Sequence, residues 1–261
     1  MIYNYIKNEF KFHFQSRIIL LGYIIGILIN LIVYYFSSKV FVPNTLVTGE
    51  FLEYGYFEYI ILGEICLIIS QVSLNEGQDA FFRYKESGVI EQFYFSKDGL
   101  LSNLTNLYIS LIAINFLHVM ISVFFSKVFF SASFNHFQII RMLFLQFFSG
   151  FAFIGLFYLN LSLSALMGRR NGSLQHLVNV LTFFSGAYFP LSILPVPFLR
   201  DILSASPFSL IVNFSRTFIY QGVVKWSMFL GLVGWLFITL LFSSLIFLYL
   251  KKKGIGRYVS P

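Results

Sequence analysis

From Trp226 to Leu250 the chain carries no charged residue, and Lys251-Lys252-Lys253 follows at once. A helix of that length rises far enough to cross the hydrocarbon core of a bilayer, about 30 Å, and the lysine run halts it at the interface. Comparable runs lie at Ile18–Ser38, Phe57–Leu74, Leu104–Phe125 and Ile139–Met167, with another beginning near Leu174. In lipid the backbone has no water to bond, so each such run must be helical. The expected fold is an all-α membrane protein with six transmembrane helices in a single domain, residues 1–261.

Composition points the same way. Of the 261 residues 57% are hydrophobic and 11% charged, whereas about a quarter of a soluble domain is charged because its surface must face water. The 18 Lys and Arg outnumber the 11 Asp and Glu. Lys7, Lys11, Arg17, Arg83, Lys85, Lys97, Arg169, Arg170, Lys251, Lys252, Lys253 and Arg257 fall on the side that holds the termini. Lys39, Lys127, Arg141, Arg200, Arg216 and Lys225 fall on the other, a bias of 12 to 6. Positive charge collects in cytoplasmic loops, so both termini are expected in the cytoplasm. Topology explains the excess, and no continuous basic surface calls for nucleic acid.

Three segments interrupt the runs. Residues 1–17 have a helical rhythm, with Asn4, Lys7, Asn8, Lys11 and Gln15 on one face and Ile2, Tyr5, Ile6 and Phe10 largely opposite. Such a helix is expected to lie in the membrane interface. Residues 76–103 are the most charged part of the chain and are expected to form a cytoplasmic loop. Residues 185–221 are apolar but broken by Pro190, Pro195, Pro197 and Pro207. Proline removes a backbone donor and blocks helix continuation, so this segment is expected to dip back into the outer leaflet as short helices.

The chain offers little chemistry. It has no Gly-x-x-x-x-Gly-Lys-Ser/Thr phosphate loop, no His-Glu-x-x-His helix and no Gly-x-Ser-x-Gly elbow. Cys66 is alone in an apolar run, and His13, His118, His136 and His176 fall in separate segments, so no metal set is evident. Glu64 stands out, because an ionised carboxylate inside a span is costly unless paired or wetted. Gln71 and Asn75 return to nearly its helical face, and Gln175, Asn179, Thr182 and Gly186 form a similar stripe. Two such stripes either line a water-accessible path between protomers or bond neighbouring helices as packing glue. In the charged segment, Val89, Ile90 and Phe93 are expected to present an apolar knob to a cytoplasmic partner, beside Lys85, Glu86, Gly88 and Glu91.

Taken in order, the pattern resembles the ABC-2-type permeases, the membrane subunits of ATP-driven exporters. The resemblance covers essentially the full length. It rests on the N-terminal helix, on Lys85-Glu86-Ser87-Gly88, on the basic turn Gly168-Arg169-Arg170-Asn171-Gly172, and on Ser185-Gly186-Ala187-Tyr188-Phe189-Pro190 followed by Leu194-Pro195 and Ser206-Pro207. Where many relatives carry Thr-Pro, this chain reads Phe95-Ser96-Lys97.

The resemblance implies a type V exporter-like fold and a second permease copy in the plasma (inner) membrane of a bacterium. It also implies a separate ATPase subunit that binds ATP and Mg, while this chain binds no cofactor. Lys85, Glu86, Gly88, Val89, Ile90, Glu91, Phe93, Arg169 and Arg170 would couple to that ATPase. Glu64, Gln71, Asn75, Gln175, Asn179 and Thr182 would line the substrate path. Ser185, Gly186, Tyr188, Phe189 and Pro190 would form the extracellular gate. The cargo would be an amphipathic drug, a peptide, a lipid or an envelope glycan, moved outward. Two other classes predict different behaviour: an intramembrane enzyme using Glu64, with His118, would act without an ATPase, and a channel or scaffold would not respond to nucleotide.

Overall fold

Helices form wherever the apolar runs predict them, and those of the second and third runs continue well past the ends of the runs. The computed structural model describes residues 2–40, 55–97, 99–168 and 172–252. The elements are α1 (Ile2–His13), α2 (Arg17–Val40), α3 (Tyr56–Gln71), a π-helical turn (Val72–Glu76), α4 (Gly77–Glu86) and α5 (Val89–Phe95). Then come α6 (Gly99–Phe130), α7 (His136–Met167), α8 (Gly172–Phe183), a short 3-10 turn (Leu191–Ile193), α9 (Pro197–Ser204), α10 (Pro207–Gln221) and α11 (Trp226–Lys252). Among the described residues there is no strand. Among the described residues five helices are long and apolar enough to cross a membrane: 17–40, 56–86, 99–130, 136–167 and 226–250. The fold is thus all-helical and consistent with a multi-pass membrane protein.

The largest departure from expectation is the second span. It does not end at Leu74; α3, the π-turn and α4 form one helix of 31 residues, Tyr56–Glu86, about 46 Å long. Packing carries it through. Asn160 donates to the Leu74 carbonyl at 2.8 Å, within the turn where the regular ladder loosens. Gln78 bonds Ser164 Oγ at 2.5 Å, and a Cβ at Gly77 would fall 2.6 Å from the Phe157 ring. The segment 76–103 is therefore mostly helix. Gly88, at φ 71°, makes the turn into α5, and α6 begins at Gly99 rather than near Leu104. Asn103 fixes that start by donating to Ser96 Oγ and the Gly99 carbonyl.

Contacts order the bundle into two ends. Tyr5 of α1 bonds Asn103 near the start of α6 at 2.7 Å, and the groove beside Leu100 and Leu101 is lined by Phe247 and Leu248 of α11. The α1 end therefore also holds the α4–α5 turn and the finish of α11. At the opposite end Phe57 and Tyr35 pack on Phe130, 5.4 and 5.1 Å between ring centres. Asn135 there caps α7 in a reciprocal box with Gln138.

Residues 184–221 begin and return at that second end. Gly186 lies against Tyr59, whose hydroxyl donates to its carbonyl at 2.8 Å, and a Cβ on Gly222 would meet Arg141 near the start of α7. Between them α9 and α10 bend by 76°. The elbow carbonyl of Ala205 accepts from Trp235 Nε1 at 2.8 Å, and Phe208 stacks on Phe153, 5.6 Å away, midway along α7. The segment is a hairpin whose elbow reaches mid-depth.

The passage leading to it is made by α8, whose 12 residues rise only about 18 Å. That is short of a full span; Phe184–Ala187 completes it as non-helical chain. α1 also differs from its expected pattern. Tyr5, Ile6, Glu9 and His13 turn toward the bundle, while Phe10 is exposed. The inward face of this helix thus holds a carboxylate, not only apolar groups.

Candidate functional site

Glu64 lies on the third turn of α3, and its Oε2 accepts from the Tyr188 hydroxyl at 2.6 Å. Tyr34 of α2 hydrogen-bonds with the same carboxyl, and its ring centre lies 6.1 Å from that of Tyr188. Helix α3 presents Glu64 toward α2 and α6, where Asn30, Tyr34, His118 and Ser122 join it around a cavity of about 20 Å³, room for one water molecule. Glu64 therefore sits inside one chain, against its own α2 and α6.

The neighbourhood of Ser185–Pro190 is built around Arg216. This guanidinium is only 2% exposed. Nη1 donates to the Gly186 carbonyl at 2.8 Å, and Nη2 donates to Ala187 at 2.9 Å and Tyr59 at 3.0 Å. Gly186 takes φ 87°, a conformation that costs a side-chain-bearing residue energy. Its carbonyl receives both Arg216 and Tyr59. Tyr56 donates to the Tyr188 carbonyl at 2.5 Å. Gly63 lets the segment approach, since a Cβ there would fall 2.7 Å from Ala187 backbone and side-chain atoms. Ser185 and Gly186 are buried; Tyr188, Phe189 and Pro190 are half-buried, and Phe189 packs on Phe183 at 5.5 Å.

The two polar stripes are not joined. Gln71 and Asn75 are half-buried on α3, Gln175 is half-buried and Asn179 exposed on α8, and Thr182 is buried without a hydrogen-bond partner. Helix α8 leaves Leu177, Asn179, Val180 and Phe183 uncovered.

At the α1 end the expected apolar knob is absent. Ile90 and Phe93 are 1% and 7% exposed, and Phe93 packs between Tyr5 and Tyr84, 6.1 and 5.8 Å away. They hold the α4–α5 turn to α1 and α6. The outward residues are Glu86, Ser87, Gly88, Gln92 and Lys97, with Lys85 and Val89 half-buried. Arg169, Arg170 and the Glu91 side chain lie outside the described residues, as do residues 41–54.

Three groups escaped the sequence reading. Glu9, buried in α1, accepts from Arg83 Nη2 at 2.5 Å and from Tyr84 at 2.8 Å. Glu76 on the π-turn accepts from Asn115 at 2.7 Å. Arg216, which the charge count assigns to the outer side with the other cations, is instead buried among carbonyls. A signal existed for two of them: Glu9 stands one helical turn before His13, and Arg216 is the only charged residue between Pro207 and Gln221. Among the described residues no cluster of three metal-ligating side chains occurs. No protein-family model and no curated protein matches the chain.

Proposed function

We propose that this chain is the membrane-embedded permease subunit of an ATP-driven exporter of the ABC-2 type. It would work in the plasma (inner) membrane with both termini cytoplasmic, beside a second permease copy and a separate ATPase that carries ATP and Mg. The observation that carries this reading is the continuous rod Tyr56–Glu86. One end of the rod adjoins the exposed turn Glu86–Gly88, and the other supports residues 184–190 through Tyr59 and Gly63. Packed helices transmit displacement as rigid elements. A push by a docked ATPase on the turn would be delivered to the segment that the resemblance names as the gate.

Two further features support it. The hairpin of α9 and α10 begins and ends on the side away from the turn, as an outer gate requires. The uncovered side of α8, with Leu177, Asn179 and Val180, suits a second copy, whose own α8 would face it. The cargo class remains amphiphile, peptide, lipid or glycan.

Co-expression with a phosphate-loop ATPase encoded beside the chain tests the reading. Expected are co-purification and ATP-dependent movement of cargo in vesicles. Catalysis on a lipid or peptide by the purified chain alone would replace this reading with that of an intramembrane enzyme using Glu64.

A further inference from the structure

Between the turn and the gate segment lies a line of titratable groups, of which the export reading uses Glu64 and Tyr188. At the α1 end, His13 Nδ1 stands 4.0 Å from Glu9 Oε2, and both groups act electrostatically on Glu76. Glu76 bonds Asn115, one turn before His118 on α6. The Tyr23 hydroxyl of α2 lies 3.0 Å from His118 Nδ1. His118 and Glu64 share the water-sized cavity, and Glu64 bonds Tyr188. The stretch Tyr56–Glu76 rises about 30 Å, the thickness of a hydrocarbon core. The line thus runs from one boundary of that stretch to just past its middle, and half-buried Tyr188 continues it toward the other.

Packing alone does not call for this set. Neither Glu64 nor Glu76 has an ion-pair partner among the described residues. Facing Glu64 are Tyr34 and Asn30 from α2, His118 from α6 and Tyr188; Arg216 on the α10 side is spent on carbonyls. Around Glu76 are Glu9 and His13 from α1, Asp79 from α4, Tyr23 from α2 and Asn115 from α6. Carboxylic acids and histidines in series at membrane depth are the chemistry of a proton relay, and each is costly to keep there for structure alone.

We propose that Glu76, Tyr23, His118 and Glu64 form a proton-conducting path through the interior of each protomer, entered from His13 and Glu9 and left by way of Tyr188. Each step breaks one O–H or N–H bond and makes another. A proton on Glu76 is carried by water to the Tyr23 hydroxyl, which gives its own proton to His118 Nδ1. The proton on Nε2 passes to a water in the cavity, and that water protonates Glu64. The net change is one proton moved from Glu76 to Glu64. The path resets when His13 and Glu9 reload Glu76, Glu64 releases its proton by way of Tyr188, and the Tyr23 hydroxyl and His118 ring turn back so that Nε2 again carries the proton. The path does not require the ATPase, so its success or failure is separate from that of the export reading.

The experiment is proton flux in vesicles holding the purified full chain, without nucleotide. A potassium gradient with valinomycin drives the flux, and a trapped pH-sensitive dye reports it. The intact chain is expected to exceed protein-free vesicles, and E64Q and E76Q are each expected to fall to the protein-free rate. D201N, on the exposed face of α9, is expected to match the intact chain. If the glutamine variants incorporate poorly, H118F, which fills the space without ring nitrogens, is expected to lose the flux equally. A rate for the intact chain no higher than in protein-free vesicles overturns the proposal, as does undiminished flux in whichever of the three variants incorporate.

Discussion

The guanidinium of Arg216 lies over the ring of Tyr59, 3.4 Å from its centre, while its nitrogens bind carbonyls on either side of the contact. One cation thereby ties α10, α3 and the backbone at Gly186–Ala187 into a unit. A buried cation without a carboxylate is tolerable here because three carbonyl dipoles and an aromatic face replace water.

Arg216→Leu would leave those three carbonyls without this donor in a dry site, at a cost of about 3 kcal/mol or more. Arg216→Lys keeps the charge but loses the planar fork and the stacking, and should cost about 1–3 kcal/mol. Thermal unfolding in detergent is expected to rank the proteins intact, Lys, Leu. Equal midpoints for all three would show that the guanidinium does not hold the segment.

Gly63 is the point where the gate segment comes nearest to α3. A Cβ there meets the Ala187 backbone at 2.7 Å, and backbone cannot swing aside. Gly63→Ala should destabilise by about 1–3 kcal/mol through overpacking, despite alanine's better helix propensity. Adding Ala187→Gly removes part of the clash. The double variant should therefore be more stable than the sum of the two single changes, as a double-mutant cycle measures; strict additivity would deny the contact.

On the α4–α5 turn, burial separates two neighbouring residues. Phe93→Ala empties a packed site against Tyr5 and Tyr84 and should cost about 3–5 kcal/mol of stability. Gln92→Glu, on the exposed side, should change the midpoint by no more than about 0.5 kcal/mol. In the export reading it weakens ATPase co-purification. A Phe93→Ala protein as stable as the parent would return that ring to the surface.

The contact of Glu9 with Arg83 anchors α1. Glu9 is buried and Arg83 about a quarter exposed, 1% and 28% by side chain, so solvent screens one partner. Glu9→Ala is expected to cost about 1–3 kcal/mol, below the range for a fully buried pair, and to expose a cysteine placed at Tyr5 to a water-soluble thiol reagent. Labelling at Tyr5 as slow as in the Glu9-containing protein would mean that α1 is held by its aromatic contacts alone.

Hydropathy by itself determined that the chain is helical and where its long apolar helices run, because lipid leaves the backbone no alternative. The prolines likewise determined where the helical path must break, through donors removed, whereas only the structure took Gly186 out of its expected helical stripe into a left-handed turn. Only tertiary packing decided that α3 continues through the charged segment to Glu86, since Asn160, Ser164 and Phe157 support the π-turn from another helix. Packing also decided that Ile90 and Phe93 turn inward, because α1 arrives to cover them. The partners of Glu9, Glu76 and Arg216 were illegible for the same reason: a charge acquires them from elements up to 157 residues away, and local sequence does not encode that distance.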